Sequence, residues 1–273
     1  MHEDLLIKRL QSMSWDDLKS ISVGGLRLSE SKIEKLPHSD LVLLCSTELR
    51  AAAGSSTRNL TRKAHDFPYK QLLIDVADKI APGNTPLSWT KYRLKDEHEE
   101  GEIEKIILGH FDAQARNWWR KLSKKKRDEF VDGINSILCG DQASIQRGKT
   151  PYLQQQALEQ LIQTGLIAGL SKASAGGILG VVGISVVGQL GWVILIQALG
   201  WMTGLKIAIF GIGGYGAMGG AVTWLGGAAI GSVVAIPGLV ALVDGPAYRK
   251  TVPATIMLLA KTQLDRFDTA ADK

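Results

Sequence analysis

Residues 178–202 read ILGVVGISVVGQLGWVILIQALGWM, 25 positions without a charge. Thirteen of them are Ile, Leu or Val, so the run is apolar on every face of a helix. As a helix it would extend about 37 Å, enough to cross a bilayer. At roughly −0.3 to −0.6 kcal/mol each, its aliphatic side chains outweigh Gln189 and Gln197 on an insertion scale. A helix of a water-soluble protein is rarely apolar all round for so long.

The neighbouring sequence extends this pattern. Thr203-Gly204-Leu205-Lys206 makes a short turn with one charge, and a second uncharged run follows at 207–234. That run holds nine Ile, Leu, Val or Phe residues diluted by glycine, so its insertion is close to marginal. About a quarter of the positions in 164–243 are glycine, and Lys172 and Lys206 are the only charges there. Glycine is a poor helix former in water, but in lipid it lets backbones approach and pack. Four-residue glycine steps recur at Gly176/Gly180, Gly200/Gly204, Gly216/Gly220 and Gly227/Gly231, with a further step at Gly165/Gly169. They are expected to serve as helix-packing faces, and through them the chain is expected to form a homo-oligomer. Trp201, Lys206, Asp244, Tyr248, Arg249 and Lys250 flank the runs and are expected at the membrane interface or in docking to the rest of the chain. For Arg249 the docking partner would be a carboxylate such as Asp75.

The remainder is unlike this region, so a mean hydropathy near zero averages two different parts. Residues 1–163 carry 48 of the 59 charged side chains. The net charge of +5 permits contact with anionic lipid and does not call for nucleic acid. Cys45 and Cys139 stand alone, with no CxxC, so two unbridged thiols in a reducing compartment are expected. The opening MHEDLLIKRL mixes acids and bases and has no signal-peptide core, so the head is expected in the cytoplasm.

Within the head, Ser14 before Trp15-Asp16-Asp17 predicts a helix N-cap. Apolar spacing predicts an amphipathic helix over 69–80 and a helical pair over 102–122 and 124–138. Between that pair lie Arg120, Lys121, Lys124, Lys125, Lys126 and Arg127. These six bases have two readings, a solvated helix junction or an electrostatic contact with anionic lipid headgroups. The tail at 248–267 is predicted as a short amphipathic helix that lies on the membrane or returns to the head.

Lys206-Ile207-Ala208-Ile209-Phe210-Gly211-Ile212-Gly213-Gly214-Tyr215-Gly216 spells a strand-like run and a GxGxxG. A dinucleotide site would need an acid about 20 residues on for the ribose. Positions 207–243 contain none, and the following segment is too apolar for the solvent face of a crossover helix. The five histidines are scattered, and there is no HExxH, Walker A or GxSxG. No catalytic centre, metal site or cofactor is expected.

Four segments carry a family resemblance: Leu73-Ile74-Asp75-Val76; Glu102-Ile103-Glu104; Trp119-Arg120-Lys121-Leu122 with Glu129-Phe130; and Gly245-Pro246-Ala247-Tyr248-Arg249-Lys250-Thr251-Val252-Pro253-Ala254. In this order they resemble the bacterial YaaW-type family, whose soluble part is grouped with ubiquinol–cytochrome c chaperone-like domains. The resemblance covers roughly 39–140 and the tail from Asp244, and it implies an all-helical protein.

The expected architecture is therefore all-α: a soluble helical head, a glycine-rich transmembrane helical hairpin and a short amphipathic C-terminal helix. Its sections are 1–62, 63–163, 164–243 and 244–273. The expected location is a bacterial inner membrane with both termini cytoplasmic. Two roles follow. In one, the hairpins oligomerise and perturb or perforate the bilayer under control of the head, as a defence or toxicity effector does. In the other, the hairpin only anchors an assembly factor that binds client proteins.

Overall fold

The computed structural model of the chain describes residues 4–54, 67–81, 97–139, 155–167, 184–203, 207–209, 223–225 and 248–271. The fold is helical, with one short strand pair among these residues. The helices are α1 Leu5–Gln11, α2 Trp15–Ser20, α3 Glu30–Ile33, α4 His38–Gly54, α5 Tyr69–Ile80, α6 Glu100–Lys121, α7 Lys124–Cys139, α8 Gln155–Thr164, α9 Ile184–Thr203 and α10 Tyr248–Ala271. The chain divides into two compact units, Met1–Phe111 with Ala235–Thr262, and Asp112–Val234 with Gln263–Lys273.

In the first unit, local signals start the helices. Asp4 accepts from the Leu6 amide at 3.1 Å and caps α1. Ser14 and Asp17 form a reciprocal capping box on α2, which satisfies two otherwise unpaired amide donors. A π-turn, Ile21–Gly25, continues α2, with Leu26 N–H donating to Ile21 O at 2.8 Å. Along α4, Leu41, Cys45, Leu49 and Ala53 form a buried stripe at four-residue steps, packed on α1. Tyr69, Leu72, Leu73, Val76 and Ile80 do the same on α5, over the span the periodicity predicts.

Helix α10 also belongs to this unit through Thr262, and residues 251–260 are buried on every side. Of the two places expected for the tail, the burial fits the return to the head: ten consecutive buried residues leave no polar face over 251–260 for a membrane surface. The close packing depends on Gly25, where a Cβ would stand 2.7 Å from the Ala254 Cα. Lys261 pairs with Asp17 at 3.3 Å, and Lys79 Nζ lies 4.7 Å from the Tyr248 ring centre.

In the second unit α7 packs on α8 and α9. The first apolar run forms helix α9, 20 residues and about 30 Å long. Its side chains at 191–203 are all buried within protein. The second run is not helical where it is described. Ile207–Ile209 (β1) and Thr223–Leu225 (β2) pair antiparallel, with Ala208 opposite Trp224. β-Branched and aromatic residues there favour a strand, while the surrounding glycines cost about 1 kcal/mol each in a helix. The transmembrane hairpin is therefore corrected at its second leg. Among the described residues no helix is long and apolar enough to cross a membrane.

Candidate functional site

The second unit contains a cage of four aromatic rings that grips α9. The last turns of α6 present Trp118 and Trp119, α7 supplies Phe130, and α9 supplies Trp201. Two residues, Leu122 and Ser123, join α6 to α7. Leu122 N–H donates to Trp119 O at 3.2 Å, and the Lys126 amide donates to Ser123 Oγ at 3.4 Å. This tight turn sets Phe130 against the tryptophan pair.

The rings meet edge to face. Phe130 lies 5.1 Å from Trp118, 5.9 Å from Trp119 and 5.4 Å from Trp201, at interplanar angles of 70–86°. Trp118 is a further 6.4 Å contact for Trp201. Such geometry puts positive ring edges on negative faces and is worth ~0.5–1.5 kcal/mol per pair beyond area burial. Two cations close the cage. Lys126 Nζ lies 5.9 Å from the Trp201 ring, held by Glu129 at 2.7 Å. The Arg127 guanidinium lies 5.4 Å from the Trp119 ring and reaches Glu159 on α8 at 3.4 Å.

Polar atoms inside this unit are incompletely matched. Trp118 Nε1, Trp119 Nε1, Trp192 Nε1 and Gln197 Oε1 are buried without a hydrogen-bond partner among the described residues. Gln197, 2 % exposed, lies on α9 between the apolar residues Ile196 and Ala198. Where the chain leaves α8, the Asp112 carboxylate accepts from the Ile167 amide at 3.0 Å. Gly165 turns there with φ +109°, and a Cβ would stand 2.7 Å from Asp112 Oδ2. Gly165 is thus a turn residue and not part of a helix-packing step.

The site residues read from the sequence separate as follows. Trp201 lies in the ring cage. Gly200 is buried in α9 beside it. Gly176, Gly180, Gly204, Gly216, Gly220, Gly227, Gly231, Lys206 and Asp244 lie outside the described residues. Tyr248 is half-buried beneath Lys79, Lys250 is half-buried and Arg249 is exposed. Asp75, the carboxylate expected to receive Arg249, accepts from the Gln71 side chain at 2.9 Å. Of the six bases between α6 and α7, Lys126 and Arg127 turn onto the rings, while Arg120, Lys121, Lys124 and Lys125 are exposed.

The first unit holds a separate ionic cluster. Glu104, 7 % exposed, accepts from Arg9 at 2.9 Å and from the Tyr69 hydroxyl at 3.1 Å. Burial and the facing Glu104 carboxylate hold the Tyr69 phenol well above its usual range. Burial, then Glu104 and Asp4, raises Glu100. Arg50 donates to Phe67 O and to Asp4, tying α1, α4 and the start of α5 together. Burial pushes the Cys45 thiol up to about 11, against a weaker opposing bond with Ser22. Among the described residues no group of three His, Cys, Asp or Glu is arranged to hold a metal. The cluster fastens helices and offers no nucleophile–base pair.

The sequence predicts the helical pair that carries Trp118 and Phe130 but not their convergence on Trp201. The adjacent tryptophans before a two-residue turn were the available signal. No family model, curated protein or solved structure matches this chain.

Proposed function

We infer that this is a non-enzymatic, membrane-perturbing protein that stores α9 enclosed in its own helical framework and releases it into a bilayer, where copies assemble. The site would be the cytoplasmic face of a bacterial inner membrane, consistent with the YaaW-type resemblance. The reading rests on α9 alone, because the described parts of the second apolar run, 207–209 and 223–225, pair as strands.

One observation carries it. Helix α9 is uncharged and buried along 191–203, yet Gln197 Oε1 and Trp192 Nε1 have no partner among the described residues. An unsatisfied buried polar group costs about 1–3 kcal/mol. A glutamine amide facing a second copy across a helix pair in lipid finds both donor and acceptor. The enclosed state therefore leaves α9 with bonding capacity that association in a bilayer would use. The client-binding reading has less support. Among the described residues Leu43 is the one large apolar side chain that is exposed, and single exposed leucines are ordinary surface features.

The test is Gln197→Leu in the full chain. Removing the orphaned side-chain oxygen should raise the melting temperature of the second unit and lower dye release from phospholipid vesicles. A purely structural glutamine would change melting alone. Absence of release by the wild-type protein, or equal release by the variant, overturns the reading.

A further inference from the structure

The bases at the α6–α7 junction divide into two sets by position. Lys126 and Arg127 are anchored by Glu129 and Glu159 and lie against aromatic rings. Arg120, Lys121, Lys124 and Lys125 are exposed and make no ion pair among the described residues. Helix stability does not account for the run. α7 opens on three lysines and has no acid in its first turn, where the backbone dipoles favour anions and disfavour cations. The result is a cluster of uncompensated positive charge on a surface turn.

We propose that this turn is the docking surface for anionic phospholipid and that docking loosens the ring cage through Lys126. The proposal rests on the membrane reading above. Charge complementarity supplies the first half: a polybasic segment is drawn to anionic headgroups within about a Debye length of the surface. The second half is continuity. Lys126 follows Lys124 and Lys125 directly, and its ammonium group sits between the Glu129 carboxylate and the Trp201 ring. Headgroup phosphates gathered at its two neighbours compete with Glu129 for that ammonium. Drawing it outward removes the cation from the Trp201 face and so takes away one of the contacts that hold α9 in place. An anionic bilayer, unlike free phosphate, also receives the uncharged helix that Trp201 anchors.

The experiment uses the full chain in flotation with phosphatidylcholine vesicles, with and without phosphatidylglycerol, together with hydrogen exchange of α9. Wild-type protein should bind the anionic vesicles, and α9 exchange should rise on binding. Each neutralised base should weaken partition about fivefold, so Lys124→Gln with Lys125→Gln should cost about 25-fold. That double variant should keep the wild-type circular dichroism spectrum and wild-type α9 exchange without lipid. Lys126→Gln should speed α9 exchange even without vesicles. Equal binding to both vesicle types, binding unaffected by the double variant, or the same acceleration by inorganic phosphate would each overturn the proposal. If binding behaves as stated but no dye is released, the docking surface stands and the membrane-perturbing reading fails. If dye is released regardless of the four bases, the outcome is reversed.

Discussion

Replacing Trp118 by Ala tests whether the ring cage restrains α9. Trp118 is fully buried and contacts Trp119 at 6.0 Å, Phe130 at 5.1 Å and Trp201 at 6.4 Å. Its Nε1 has no partner among the described residues, so the substitution removes packing and leaves no acceptor stranded. Truncating a buried tryptophan costs about 3–5 kcal/mol, of which a single edge-to-face pair supplies ~0.5–1.5 kcal/mol. At 1.4 kcal/mol per tenfold, amide exchange limited by opening of this unit should accelerate by roughly two to four orders of magnitude. Hydrogen exchange resolved by mass spectrometry reads α7 and α9 separately. If the cage holds α9, amides at 191–203 should speed up in parallel with those of α7. The mutated residue lies on α6, so altered exchange in α9 is transmitted through packing and not through local sequence. Faster α7 exchange with α9 unchanged would refute the argument, because Trp201 would then be a bystander among the rings.

Two further substitutions address the first unit. Gly25→Val puts a branched side chain where a Cβ already meets the Ala254 backbone. It should destabilise that unit by ~1–3 kcal/mol and raise exchange at 251–260; unchanged exchange there would count against the close crossing. Glu100 has a raised pKa from burial and from Glu104, so the folded state holds its proton more tightly than the unfolded state does. Stability then falls as pH rises from the ordinary glutamate value, about 4.3, through the raised one. Glu100→Gln should therefore melt higher than wild type at neutral pH and match it at strongly acidic pH, read by circular dichroism; a lower melt at neutral pH contradicts the sign.

The sequence carries the local structure well. Ser14 and Asp17 announce the start of α2, and the apolar spacing of 69–80 marks α5, because caps and periodicity act over a few residues. The stretch around α9 was legible as an uncharged helix but not as an enclosed one. Hydropathy reports that side chains avoid water, and a protein interior satisfies them as a bilayer does. The second run misled for a related reason. Apolar composition says nothing of period, and Ile207-Ala208-Ile209 with Thr223-Trp224-Leu225 is too short for either period to be counted. The ring cage depended on contacts between Trp118, Phe130 and Trp201, which no local window contains. The tail was read as amphipathic although Thr251 and Thr255 are small enough to be enclosed with the leucines around them.

The crossing of Gly25 and Ala254 bears on how the protein is made. The first unit needs α10 as its last wall, so a ribosome must translate the whole glycine-rich region before that unit can close. Until then the N-terminal helices wait with an uncovered flank while the most water-averse part of the chain emerges behind them. Synthesis thus has an interval in which apolar surfaces from distant parts of the chain are open together, and a nascent-chain chaperone or a nearby membrane would find its opportunity there.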